Sequence, residues 1–270
     1  MKMKNNDNHI KARIFDFYVT SMCTMRCKLC SSAVPYHTNP RHTPLDVAKR
    51  EIKEFFNIWD YAERVEFIGG EPLMHPNILE IVKEMLKYKD CFSRMRITTN
   101  ATIIPSDELC ELVASCGRIF DFIVDDYGEY SKNLEKVINK LEYYNIPYRL
   151  DIYHGDNQRY NGWVIYGEYV EAQTKDSAEF IFNHCNVPRN QFVCVNNGKV
   201  FSCNYAQSLY WVKGIFPTDG SAFDLFDESV SREQKRNFAK DFFLKPIQAC
   251  EYCYGFSNDF GERFPAAEQI

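Results

Sequence analysis

The chain has no long hydrophobic run. Its first apolar stretch, IFDFYVT (14–20), falls well short of the about 20 residues a membrane helix needs, and it carries an aspartate. The residues ahead of it, MKMKNNDNHIK, hold lysines but no apolar segment of the kind a secretory signal requires. A cytoplasmic protein is therefore expected. An excess of positive charge is also missing. There are 32 Lys and Arg against 37 Asp and Glu, a net charge of −5, so neither nucleic acid nor an anionic membrane is an expected partner. No Pro/Gly/Ser-rich linker, internal repeat or low-complexity segment interrupts the chain. What is present is an ordinary globular composition, 45% apolar and 26% charged over 270 residues. That length suits one large α/β domain, alone or with a smaller appendage.

Cysteine, by contrast, is plentiful. Eleven are many for a chain in a reducing compartment, where clustered thiols point to metal ligation or catalysis and not to disulfides. Three of them, Cys23, Cys27 and Cys30, stand in CTMRCKLC at C-x3-C-x2-C, just after the first apolar run. A fourth is lacking there. Structural zinc generally takes four protein ligands. Three thiolates would satisfy three irons of a [4Fe–4S] cluster and leave one iron open to bind a substrate or cofactor. A zinc site completed by His37 or His42 is the competing reading.

Strand-like segments at 14–20, 64–69, 93–99, 119–125 and 147–153 alternate with amphipathic helical runs at 44–62, 75–88, 105–116 and 131–144. Thr43, Asn77, Ser106 and Ser131 are the candidate caps. Five β-α units, with a candidate sixth around 163–172, predict an α/β fold: a partial (β/α)6 TIM-like barrel, with an open doubly wound sheet as the other layout. In both, ligands bind at the carboxyl ends of the strands. CTMRCKLC, GGEP (69–72) and TTNAT (98–102) follow the first, second and third strands and so share that end.

CTMRCKLC after a first strand, with GGEP after the second, resembles the radical S-adenosylmethionine (SAM) enzymes. The resemblance implies that Cys23, Cys27 and Cys30 ligate a [4Fe–4S] cluster whose open iron is chelated by SAM. One electron then cleaves the sulfonium bond and yields a 5′-deoxyadenosyl radical that takes a hydrogen atom from substrate. It further implies that Gly69, Gly70, Glu71 and Pro72 receive the methionine amino group, glycine suiting close backbone approach to a ligand. Leu29 departs from the pattern, since many members carry an aromatic residue there. Thr99 and Asn100 end the third strand and are candidates to face SAM. Asp125 and Asp126 end the fourth, where the family often places a polar residue for the ribose hydroxyls. Arg149 and Asp151 alternate onto one face of the fifth strand. Facing a barrel interior, such a charged pair needs a function or mutual pairing.

Past residue 175 no long helical period is evident until about 228–243, while cysteines return at 185, 194, 203, 250 and 253. This spacing resembles the twitch domain, the shortened form of the SPASM domain. The resemblance divides the chain into a barrel core, 1–175, and a twitch-like region, 176–270. It implies an auxiliary [4Fe–4S] cluster held by Cys185, Cys203, Cys250 and Cys253. With no cysteine after Cys253, two clusters in total are expected. A four-cysteine zinc site is the alternative. NNGK (196–199) between apolar runs reads as a tight hairpin turn. Cys194 is left over: an alternative ligand, an inert buried thiol, or a hydrogen-atom donor of the kind found in some radical SAM epimerases. Cys91, Cys110 and Cys116 fall at ordinary core positions.

Two reactions follow from the resemblance. In one, as in radical SAM alcohol dehydrogenases with a twitch domain, a small sugar- or aminocyclitol-like alcohol is oxidised, with the auxiliary cluster as electron acceptor. Arg149, Asp151 or Tyr153 would be the deprotonating group, and a flavodoxin- or ferredoxin-type protein the reductant. In the other, a peptide is epimerised or crosslinked. The roughly thirteen residues before the first strand argue against a fused leader-binding domain. An iron–sulfur electron carrier or a zinc-stabilised binding protein is the non-enzymatic reading. Among the abundant aromatics, Tyr36, Tyr153 and Tyr205 are candidates to line a substrate cavity, and Trp59, Trp163 and Trp211 to pack the core.

Overall fold

The structure, a computed structural model, describes residues 9–257 and 260–270; most of the N-terminal lysine-bearing segment lies outside them. Eight strands form one sheet: β1 (Lys11–Thr20), β2 (Tyr61–Gly69), β3 (Phe92–Thr99), β4 (Phe120–Asp126), β5 (Tyr148–Ile152), β6 (Phe192–Asn196), β7 (Lys199–Phe201) and β8 (Ala222–Asp224). Their spatial order is β5-β4-β3-β2-β1-β6-β7-β8. All neighbours from β5 to β6 are parallel, and β6-β7-β8 is an antiparallel meander.

The helices are α1 (Leu45–Ile58), α2 (Ile78–Leu86), α3 (Asp107–Ser115), α4 (Leu134–Tyr143), α5 (Lys175–His184), α6 (Asn186–Asn190), α7 (Asn204–Lys213) and α8 (Arg232–Asp241). The first four connect successive parallel strands, as the alternating pattern predicts. In α1, Ala48, Ile52, Phe55 and Ile58 recur every three or four residues and are buried. Phe55 stacks on Phe15 with centroids 3.6 Å apart and on Trp59 at 4.6 Å. Helix α1 ends at Ile58, not at 62, because Trp59 turns extended and Tyr61 already opens β2. Ser106 caps α3 by accepting from the Leu109 N–H, whereas Asn77 precedes α2 without a side-chain cap bond.

Strand alternation divides β1 into two sets. Phe15, Phe17 and Val19 join the core beneath the helices. Ile14, Asp16 and Tyr18 face the opposite, concave side of the sheet, where the cavities lie.

Two expectations are corrected. Residues 163–172 form no strand beyond a single bridge between Trp163 and Phe264. The sixth parallel strand is β6, and it pairs with β1, not β5: Asp16 faces Cys194 in its register. The 176–270 region is therefore built onto the same sheet as the βα units. It also holds helices α5 and α7, where no helical period was expected. The period of α7 is hidden because five consecutive residues, Tyr205 to Leu209, are all buried. The NNGK hairpin forms as read. Asn197 (φ 48°) and Gly198 (φ 80°) both take left-handed conformations between β6 and β7, as a tight two-residue turn of this hand requires. Among the described residues no helix is long and apolar enough to cross a membrane.

Candidate active site and cysteine centres

The loop after β1 carries Cys23, Cys27 and Cys30, and all three line one cavity of about 300 Å³ at the carboxyl end of the parallel strands. The end of β2 docks directly on this loop. Gly70 N–H donates to the Thr20 carbonyl (2.8 Å) and Glu71 N–H to the Met22 carbonyl (2.9 Å). A Cβ on Gly69 would overlap the Thr20 carbonyl, and one on Gly70 the Met22 carbonyl. The two glycines are thus required by the cysteine loop pressing on β2, a constraint separate from any ligand. Both line the cavity, whereas Glu71 and Pro72 do not.

Glu71 is fully buried and turned toward β3. Its Oε1 accepts from Leu73 N–H (3.1 Å) and Thr99 Oγ1 (2.9 Å), its Oε2 from Asn100 N–H (2.8 Å). Burial pushes its carboxyl up to about 7 against the pull of these donors. The carboxylate therefore fastens β3 to the GGEP turn and presents no free oxygen to a ligand. Asn100, fixed in this way, donates from Nδ2 toward Cys23 Sγ (3.6 Å) and Thr24 Oγ1 (3.2 Å). Thr99 and Asn100 both line the cavity.

At the end of β4 the two aspartates separate. Asp126 turns away: it accepts from Gly128 N–H (2.8 Å) and meets His154 Nε2 at 3.0 Å. Asp125 faces the cavity. Its Oδ2 accepts from Tyr127 Oη (3.2 Å), while Oδ1 is buried with no partner among the described residues. Burial, reinforced by Asp151, raises its carboxyl to about 8. Asp16 on β1, absent from the sequence-based candidates, lines the same cavity with Oδ1 likewise buried and unpartnered. Its carboxyl is raised well above the usual range by burial and then by Glu66. Among the described residues the cavity wall carries no Lys or Arg. Two orphaned carboxyl oxygens facing one space are costly unless a ligand supplies donors. Tyr127, Trp163, Tyr166 and Phe256 complete an aromatic wall that no spacing in the sequence singled out.

Below lies a second, wider cavity of about 950 Å³, which shares Ser31, Ile68, Thr98 and Asp125 with the first. Arg64, Glu66, Arg94, Arg96, Arg149 and Asp151 line it. The charged pair expected on β5 is mutually bonded. Arg149 Nε and Nη2 donate to the two oxygens of Asp151, both at 2.9 Å, and Arg159 adds a third bond at 3.1 Å. Arg96 forks onto Asp121 at 2.5 and 2.7 Å, and Arg64 pairs with Glu66. Tyr153 lines this cavity. Tyr36 is exposed, and Tyr205 belongs elsewhere.

The second cysteine group also converges. Cys185, Cys203, Cys250 and Cys253, from three separate segments, line one small apolar cavity of about 30 Å³ together with Tyr205. Cys194 does not join them. It is fully buried on β6 among Tyr18, Phe201 and Tyr205 and lines neither this cavity nor the other two. Burial raises Cys23 and Cys203 to about 12 and Cys27 and Cys250 to about 11, so ligation releases a proton from each thiol. Among the described residues no three His, Cys, Asp or Glu side chains are grouped to hold a single metal ion. Each set lines its own cavity.

Comparison with known proteins agrees with this geometry. Residues 17–148 match the model of the radical SAM superfamily. These residues, just under half of the chain, thus match a radical SAM domain. That domain implies a [4Fe–4S] cluster and SAM, and its matched span holds the cysteine triad, GGEP and the ends of β3 and β4. Among curated proteins the chain is similar to an uncharacterised protein of Methanocaldococcus jannaschii, 29% identical over 48% of this chain and 49% of the relative. It is also similar to the GTP 3′,8-cyclase of Campylobacter jejuni subsp. doylei, 27% identical over 32% of this chain and 27% of the relative. The matches thus span about half of one relative's length and about a quarter of the other's. Among solved structures, BtrN in complex with AdoMet and 2-DOIA superposes with a TM-score of 0.57 at 17% identity, covering 94% of this chain and 97% of that one. Native anSMEcpe with bound AdoMet and Kp18Cys peptide gives 0.52 at 12% identity, covering 96% and 93%. At these identities the likeness is one of fold. It extends beyond the radical SAM domain through nearly the whole chain.

Proposed function

We propose that the protein is a radical SAM oxidoreductase that oxidises an alcohol on a small polar, sugar- or aminocyclitol-like substrate. Cys23, Cys27 and Cys30 would hold the SAM-binding cluster, and Gly69, Gly70, Thr99, Asn100 and Asp125 would line the SAM site. When bound, the cluster and SAM supply the 5′-deoxyadenosyl radical. Residues 176–270 would act as a twitch-like region whose four thiols, Cys185, Cys203, Cys250 and Cys253, hold an auxiliary [4Fe–4S] cluster, the electron acceptor that alcohol oxidation requires. The resemblance of this cysteine spacing to the twitch domain supports a cluster over a four-cysteine zinc site.

The observation that carries the small-substrate reading is the polar lining of the adjoining cavities. With Asp125 facing SAM, Asp16 offers an unpartnered carboxyl oxygen that matches a hydroxyl or ammonium donor of a polyol or amino sugar. Arg149, Arg159 and Asp151 form a rigid polar wall beneath. Asp151, held by two guanidiniums, is suited to hold Arg149 toward a substrate oxygen and less suited to remove a proton. The overall likeness to BtrN, a protein that binds AdoMet and 2-DOIA, supports the same class. The peptide-modifying alternative, with Cys194 as hydrogen donor, gains no support from a thiol sealed in the core.

The test is anaerobic expression with and without Cys23, Cys27 and Cys30 replaced by alanine. The expected outcome is 5′-deoxyadenosine from SAM in the parent only, with about four irons per chain surviving in the triple variant. A triple variant that holds zinc and no iron would remove the auxiliary acceptor and with it the oxidation.

A further inference from the structure

The segment 264–270 closes over the cysteine loop as an antiparallel strap. Lys28 N–H donates to the Glu268 carbonyl at 2.7 Å and Ile270 N–H to the Arg26 carbonyl at 3.0 Å, and Cys27 and Gln269 form a bridge pair. Ala267 is completely buried beside Met25 and Cys27. At the centre of this contact the Gln269 side chain is used at both ends. Its Oε1 accepts from Arg26 N–H at 2.7 Å, and its Nε2 donates one hydrogen to the Ala267 carbonyl at 2.5 Å and lies 3.3 Å from Cys27 Sγ. The first bond fixes the orientation of the amide, because a backbone N–H can only meet the oxygen. The N–H₂ must then face the sulfur.

We propose that Gln269 is a positioning residue for Cys27, and that its N–H···S hydrogen bond sets the redox potential of the cluster the triad holds. This rests on the reading of Cys23, Cys27 and Cys30 as cluster ligands. Hydrogen bonds to ligating sulfurs withdraw electron density from them and so favour the reduced cluster; burial and solvent exclusion act on the same quantity. The triad carries few other side-chain donors. Asn100 reaches Cys23 at the longer distance of 3.6 Å. Gln269 is thus the closest side-chain donor to any of the three sulfurs among the described residues, and it arrives from a segment about 240 positions away in sequence. The strap also covers Cys27, which is buried while Arg26 and Lys28 on either side are exposed.

The experiment compares wild type with Gln269→Ala and Gln269→Glu by anaerobic potentiometric titration, read by electron paramagnetic resonance. The signal that changes on adding SAM identifies the triad's cluster. Gln269→Glu can still accept from Arg26 but cannot donate to sulfur. The expected result is a negative shift of midpoint potential in both variants, with iron content unchanged. Glu268→Ala, which removes only an exposed ion pair with Lys28, should leave the potential where it was. A purely structural role would lower the melting temperature of both variants, since both lose the Nε2 bond to the Ala267 carbonyl, and leave both potentials unshifted, and it would overturn the proposal. Loss of iron from Gln269→Ala leaves Gln269→Glu as the deciding variant. A wild type lacking any SAM-sensitive signal would instead refute the cluster assignment itself.

Discussion

Gly70 and Asp16 make different demands on the same cavity. At Gly70 the constraint is space: a methyl group would meet the Met22 carbonyl and press against Cys23 Cβ. Backbone cannot step aside as a flexible side chain can, so Gly70→Ala should cost about 1–3 kcal/mol or more and displace the cysteine loop. A lower melting temperature together with reduced iron content would show both effects. At Asp16 the constraint is solvation. Its unpartnered Oδ1 is a burden until a ligand supplies a donor. Asp16→Asn, which removes a buried ionisable group beside Glu66, should raise the stability of the ligand-free protein. Under the proposed function it should also leave 5′-deoxyadenosine formation from SAM intact while abolishing substrate oxidation. Product formation at the wild-type rate would remove Asp16 from the substrate site. The triad and GGEP were legible in the sequence because their spacing is local. Asp16 was less so, although the alternation that singled out Arg149 and Asp151 also applies to Asp16, Arg64/Glu66 and Arg94/Arg96. A charge at an inward position of a strand is the signal that could have found it.

Helix α1 is tied to the β6–β7 hairpin by one buried carboxylate. Glu51 is fully buried, its Oε1 accepts from Gly198 N–H at 2.5 Å, and its Oε2 has no partner among the described residues. Burial raises its carboxyl to about 8, and Asp224 pushes the same way. The folded state therefore holds a proton that the unfolded chain releases near its ordinary value of 4.5. This contribution to stability is fully present below about pH 4.5 and is lost as pH rises through 8, by on the order of a few kcal/mol. Glu51→Gln keeps an oxygen for Gly198 and cannot ionise. Denaturant melts of this variant should show a flatter dependence between pH 5 and 8 and a gain at pH 8. An unchanged slope would mean another group governs it. The hairpin turn was readable, since Asn-Gly between apolar runs has few alternatives. Its attachment to α1 was not, because it joins residues about 150 positions apart.

For the whole molecule, the sheet of the radical SAM domain is continued by β6, β7 and β8 from the region that holds the second cysteine group. Under the proposed function, Cys250→Ala with Cys253→Ala should lower iron from about eight to about four atoms per chain and abolish alcohol oxidation. Production of 5′-deoxyadenosine should persist. If iron is unchanged, the four-thiol cavity holds no cluster. If SAM cleavage also disappears, the two halves depend on each other for folding through the β1–β6 pairing.

The resemblance to the twitch domain picked out the four cysteines that share a second cavity, while by itself the sequence determined the five β-α units and the end of the sheet where the triad, GGEP and TTNAT meet. These are matters of period, turn chemistry and local spacing. Only the tertiary structure decided that β6 pairs with β1, that Glu71 serves β3 and offers no oxygen to a ligand, that Cys194 is sealed in the core, and that Gln269 reaches Cys27. Each of those depends on which distant segment occupies the space beside a residue. Burial and hydrogen-bond completion select that neighbour across the whole fold, and no local pattern records the choice.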